Sequence, residues 1–88
     1  MTTIWKYLLR PGHNPIMMPR NPQLLTIDEQ NGSVCLWARV DDEADMETVN
    51  VDVVGTGHEA PTENQGHYIG TVELENGMLV FHAFFMRK

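Results

Sequence analysis

The chain has 88 residues, 42% of them hydrophobic and 20% charged, with a formal net charge of −6. That length supports one hydrophobic core but not two, and the balance of apolar to charged residues describes a folded domain rather than a disordered one. The acidic surplus excludes a binder of duplex nucleic acid, whose surface must neutralise phosphates, and a single cysteine excludes an intramolecular disulfide.

No apolar run approaches the ~20 residues needed to cross a bilayer, and the N-terminus has no signal-peptide core, so a soluble protein of the cytoplasm is expected. A domain this small has a net stability of about 5 kcal/mol, and self-association is expected to add to it. In chain order the hydrophobic period is two almost everywhere. Thr3 to Leu9 alternates Ile4, Lys6 and Leu8 against Trp5, Tyr7 and Leu9, a strand with an aromatic face. Pro11, Pro15, Pro19 and Pro22 follow, which rule out a helix and leave room for a short edge strand around Ile16 to Met18. The adjacent Met17 and Met18 suit an edge covering or an adaptable association strip.

From Gln23 to Val40 two alternating runs flank Asn31-Gly32, the dipeptide that supplies positive φ at both centres of a type I′ turn. Counting outward pairs Ile27 with Leu36 and Leu25 with Ala38 on one face, and Thr26 with Trp37 on the other. Cys35 lies inside this run and reads as a small buried residue rather than a reactive thiol. Asp41, Asp42, Glu43, Asp45 and Glu47 form an acidic cluster, read as a solvated loop with one helical turn at most. Glu47 to Val54 then alternates Val49, Val51 and Val53 inward against Thr48, Asn50 and Asp52. Asn76-Gly77 marks a second hairpin: Leu74 meets Leu79, Val72 meets Phe81, Gly70 meets Ala83 and Tyr68 meets Phe85. On its other face Glu73 meets Val80, Thr71 meets His82 and Ile69 meets Phe84. Gly70 beside Ala83 leaves a shallow spot that another backbone or a ligand can approach. The expected fold is all-β: one domain over residues 1–88, a small antiparallel sandwich or partly open barrel of six to seven strands with two Asn-Gly hairpins.

The stretch Gly55-Thr56-Gly57-His58 has two readings. Glycines after a strand expose backbone N–H groups to an anion, with the Thr56 hydroxyl and His58 as further donors. Equally, the glycines supply a sharp turn that His58 caps. No phosphate-loop signature and no following helix support the first reading. His58, His67, Glu59 and Glu63 share a loop without metal-site spacing, so no metal is expected. Without a nucleophile elbow or a zinc-protease motif, and with Ser33 placed in a tight turn, no enzyme is expected. His82, polar within an apolar strand, is expected to hydrogen-bond Thr71. A sharper alternative joins it to Trp5, Tyr7 or Trp37 as a platform on which nucleobases stack.

As a set, Ile-Trp-Lys-Tyr-Leu-Leu, Leu-Leu-Thr-Ile, Cys-Leu-Trp-Ala-Arg-Val-Asp, Val-Val-Gly-Thr-Gly-His, Tyr-Ile-Gly-Thr and Leu-Val-Phe-His resemble a family of short phage and prophage proteins of unknown function. The resemblance covers nearly the whole chain; the loop after His58 is longer and more acidic than the family leads one to expect. It implies a phage accessory protein in the bacterial cytoplasm. By analogy of setting, it points to a non-catalytic anti-defence protein that sequesters a nucleotide-derived immune signal in an oligomer. The expected ligand-binding residues are Gly55, Thr56, Gly57, His58, His67, Tyr68, His82 and Trp37, with no cofactor. The alternative is a protein-binding inhibitor of a host factor, or a minor structural phage protein.

Overall fold

Alternation along the chain becomes seven strands: β1 (Thr2–Leu9), β2 (Gly12–Pro19), β3 (Gln23–Gln30), β4 (Ser33–Asp41), β5 (Met46–Gly55), β6 (Gly66–Leu74) and β7 (Leu79–Met86). The computed structural model describes residues 1–87. The strands form two antiparallel sheets, β1-β4-β3 and β2-β5-β7-β6, which pack as a small open sandwich and do not close into a barrel. One apolar cluster draws on both: Leu9, Ile27, Val34 and Leu36 from the three-stranded sheet, and Met18, Val49, Val51, Val53, Val72 and Ala83 from the four-stranded one. Val49, Val51 and Val53 face inward as the period of β5 requires. Among the described residues, no helix is long and apolar enough to cross a membrane.

The first hairpin turns through Asn31 (φ 53°) and Gly32 (φ 81°), the positive pair that a type I′ turn needs. Its register follows the count from the turn as far as Thr26 opposite Trp37. There a bulge makes Leu25 an extra residue, so Leu24, not Leu25, faces Ala38. The second hairpin departs in the same way. Pairs from Leu74–Leu79 to Gly70–Ala83 agree with counting, but Ile69 is bulged, and Tyr68 meets Phe84 rather than Phe85. The bulge lets Ile69 pack against the core while Tyr68 turns outward. Its turn is also longer than two residues: Glu75 joins Asn76 and Gly77 at positive φ, so the ladder stops at Leu74–Leu79. β2 is a full eight residues rather than a short strip around Ile16 to Met18. It lies at a sheet edge, where a strand needs ladder bonds on one side only and tolerates Pro15 and Pro19.

The shallow spot at Gly70 is filled by the fold itself. A Cβ there would lie 3.1 Å from Ile27 Cγ1, so the glycine lets β3 settle against β6. Asn14, 8% exposed, ties the β1–β2 turn: Nδ2 donates to the carbonyls of Arg10 (2.8 Å) and Val51 (3.2 Å), and Oδ1 accepts from the Arg10 N–H (2.8 Å). Cys35 is fully buried on the outward side of β4. Lys6 Nζ on β1 reaches Gln30 Oε1 on β3 at 2.6 Å, so its stem bridges β4 and covers that side.

Tyr7 is a local weak point. Among the described residues its hydroxyl is buried with no hydrogen-bond partner, and burial pushes its ionisation above the usual phenol range. An unpaired buried hydroxyl costs about 1–3 kcal/mol. Tyr7→Phe is therefore expected to raise the melting midpoint by about 4–8 °C, taking the gain as ~1 kcal/mol. Because the folded-state value lies above the unfolded one, the unfolded chain releases the phenol proton more readily, so the wild-type chain is unaffected well below pH ~10 and loses stability as pH rises beyond it. Melting at pH 8 and pH 11 checks both points: the alkaline loss should shrink in the phenylalanine variant.

Candidate functional site

β5 and β7 are neighbours, and so are β7 and β6, which sets three polar side chains in one row on the outer face of the four-stranded sheet. Thr71 pairs with His82, and Val54, two residues before Thr56, also pairs with His82. His82 Nε2 lies 2.7 Å from Thr56 Oγ1, and His82 Nδ1 lies 2.9 Å from Thr71 Oγ1. The row continues from Thr71 to the Tyr68 hydroxyl, and at its other end the Thr56 hydroxyl reaches the Val80 carbonyl at 3.5 Å. That carbonyl can only accept, so for a neutral imidazole one order of the row keeps every one of these bonds. Thr56 donates to Val80, His82 Nε2–H donates to Thr56, Thr71 donates to Nδ1, and Tyr68 donates to Thr71. The expected Thr71–His82 bond is present, and Thr56 adds a second partner.

Gly55-Thr56-Gly57-His58 is a turn closed by the His58 N–H donating to the Gly55 carbonyl at 3.1 Å. Only Gly57 has positive φ, at 90°. Gly55 serves close approach instead: a Cβ there would lie 3.3 Å from His58 Cδ2 and 3.8 Å from Phe81 Cε1. The Thr56 N–H donates to the Val80 carbonyl at 3.2 Å, so two backbone donors of this stretch are already engaged. The loop then folds back on the sheet, with Pro61 beside Gly66 and the Arg87 N–H donating to the Gln65 carbonyl at 2.8 Å.

Clefts open on both sides of this loop. One of about 150 Å³ is lined by Thr56, Gly57, His58, Ala60, His82 and Phe84. A second, about 570 Å³, is lined by Asp52, Glu59, Thr62, Gln65, Met86 and Arg87 and shares Val54 and Ala60 with the first. A third, about 420 Å³, lies toward the β1–β2 turn, where His13 Nδ1 is 2.7 Å from Asp52 Oδ1. No group of three or more metal-ligating side chains converges among the described residues.

Of the expected ligand-binding residues, Gly55, Thr56, Gly57, His58 and His82 border the smallest cleft. Tyr68 joins them through Thr71, half-exposed and tilted against Phe84 with ring centroids 5.8 Å apart. His67 and Trp37 stand apart. His67 pairs with Phe85 and so lies on the other side of β6 from Tyr68. Trp37 lies on the outer face of the three-stranded sheet, between Lys6 and Thr26. The platform joining His82 to Trp5, Tyr7 or Trp37 is therefore not formed: Trp5 and Tyr7 share a side of β1 with Leu9 of the core, and the rings near His82 are Phe84 and Tyr68. The sequence reading missed Phe84 and Arg87. Phe84 was legible, since positions 82 and 84 of one strand share a face. Arg87 was not, because only the folded loop, whose Glu63 carbonyl accepts from Arg87 Nε at 3.2 Å, sets it in the lining of the larger cleft.

No curated protein and no solved structure matches the chain. A family described as a domain of unknown function (DUF7352) matches residues 1–88, a span that contains all seven strands and the His82 row. The chain belongs to that family.

Proposed function

We propose that this is a non-catalytic binding protein that holds a nucleotide-derived small molecule on the outer face of its four-stranded sheet. The observation that carries the reading is the row Thr56–His82–Thr71–Tyr68, which runs from a cleft lined by Thr56 and His82 to a half-exposed aromatic ring. Tyr68 offers a π-face to a base, worth ~1–3 kcal/mol per stacked base. Hydroxyl and imidazole edges along the row suit ribose hydroxyls. Arg87 supplies a cation for a phosphate, while Asp52 and Glu59 in the lining of the same cleft disfavour a ligand dense in phosphate. The larger cleft falls within the ~300–1,000 Å³ usual for small-molecule sites. The resemblance to phage and prophage proteins supports a setting in the bacterial cytoplasm, where sequestering an immune nucleotide signal is the role we assign.

The test is a thermal-shift screen against cyclic mononucleotides, cyclic dinucleotides and ADP-ribose derivatives. A ligand at 100 times its dissociation constant adds ~2.7 kcal/mol, a shift of many degrees in a domain of this size. The shift should vanish in His82→Ala and Tyr68→Ala and persist in His67→Ala. No shift for any compound at millimolar concentration sinks the reading.

One observation favours a protein partner instead. Ile4 (55% exposed) and Leu8 (65%) flank half-buried Trp37 on the outer face of the three-stranded sheet, an apolar strip of the kind that marks protein contacts. A host factor, or a neighbouring protein in a phage particle, is the partner that fits it.

A further inference from the structure

Two sheets have four edges, and three of them are protected. β3 and β6 lie against each other, with Ile27 seated on Gly70, and each carries a bulge. β2 presents Pro15 and Pro19. β1 has none of these devices. It is eight residues long with no proline, glycine or bulge, and it pairs with β4 without interruption from Thr2–Asp41 to Leu9–Val34. Its one charge, Lys6, is drawn over β4 to Gln30. Ile4, Trp5 and Leu8 remain exposed. Long, flat, apolar edges of this kind pair with another strand unless something blocks them.

We infer that β1 pairs antiparallel with β1 of a second copy about a twofold axis, giving one six-stranded sheet β3-β4-β1-β1-β4-β3. The charges select this occupant. Asp41, Asp42 and Glu43 surround the Met1 ammonium at 3.9, 2.8 and 3.8 Å, three carboxylates around one cation at the start of β1. Arg10 follows the other end of the strand. Its backbone is pinned by Asn14, and among the described residues its guanidinium has no acidic partner. Antiparallel pairing of two β1 strands sets the Arg10 of each copy beside the acidic corner of the other, twice over by symmetry.

The register follows from the pleat. Residues facing each other must share a face, so paired numbers sum to an even value. A sum of 12 sets Lys6 against its own copy and leaves no aromatic pair on the axis, since the Lys6 side chain lies over β4. A sum of 10 sets Trp5 against Trp5, Ile4 against Lys6 and Thr3 against Tyr7, with an aromatic pair on the axis instead. The edge belongs to the sheet opposite the His82 row, so this pairing stands or falls apart from the ligand reading.

Sedimentation equilibrium of the full chain tests it. The wild-type protein should be dimeric at tens of micromolar, and Trp5→Glu, which sets two carboxylates face to face on the axis, should weaken the dimer by about 100-fold or more. Arg10→Glu lies outside the core and keeps the test valid if the first variant misfolds; it should also weaken the dimer. Adding Glu43→Arg to Arg10→Glu should restore it, which a general loss of stability would not. A wild-type chain monomeric at 100 µM, or a dimer unchanged by Trp5→Glu with a native circular dichroism spectrum, overturns the inference.

Discussion

Gly70→Val should lower the stability of the domain by about 3 kcal/mol, at the upper end of what overpacking a core usually does. The backbone at Gly70 is ordinary, with no positive φ, so the effect is purely one of contact. A single Cβ already comes within 3.1 Å of Ile27 Cγ1, and Ile27, 5% exposed, is itself part of the buried core cluster. The two further methyl groups of valine force β3 away from β6, along the seam where the sheets meet. For a chain whose total stability is roughly 0.05–0.15 kcal/mol per residue, this is a large share of the whole. Urea unfolding should show the midpoint falling with little change in slope. Combining Gly70→Val with Ile27→Ala should lose less than the sum of the two, because the second change removes the atom the first collides with. Strict additivity would mean that the seam is not where the strain lies.

Leu36→Ala is expected to remove about 2–5 kcal/mol, enough to leave a substantial unfolded population at 37 °C. Leu36 has no exposed surface and sits on the central strand of its sheet, directly between Tyr7 on β1 and Ile27 on β3. Backbone ladders hold both flanking strands in place, so the surroundings can collapse only in part and a cavity remains. Leu36→Met, which conserves volume, should lose less than about 1.5 kcal/mol. A comparable loss for both variants would point to shape rather than volume as the controlling property of this site.

Much of this architecture was legible from alternation and turn chemistry, and the limits are specific. Asn-Gly fixed both hairpins, and counting from the turn gave the right partners for five residues of β3 and five of β6. The count failed at Leu25 and at Ile69, where a bulge inserts one residue. Nothing local marks either position; the bulge at Ile69 is selected by a core that takes the side chain in and turns Tyr68 out. Strand order was beyond reach for the same reason. β5 runs between β2 and β7, held by backbone ladders on both sides, and no sequence period records that order. The candidate site splits along similar lines. The Thr71–His82 bond followed from register, yet Thr56 joined it only once β5 was laid beside β7. His67 and Tyr68 are adjacent on one strand and alternation alone separates them. Alternation could not tell which sheet Trp37 belongs to, because both β4 and β7 carry aromatic residues on an outer face. Gly55 and Gly57 look alike in sequence, but one permits a side chain to lie close and the other permits a backbone to turn.

The direction of the row from Tyr68 to Val80 gives the molecule a reporter of its own occupancy. Each hydroxyl in that line has one proton to give, so a change at the Tyr68 end propagates as a reversal of each bond as far as Thr56, whose hydroxyl then turns from the Val80 carbonyl to His82. A visitor that donates a proton to the Tyr68 oxygen leaves the order as it stands. One that accepts the Tyr68 proton turns Thr71 around, and His82 must then carry its hydrogen on Nδ1 and accept at Nε2. The two tautomers have distinct nitrogen resonances, so isotope-labelled His82 distinguishes an accepting visitor from a donating one without any contact to the imidazole itself.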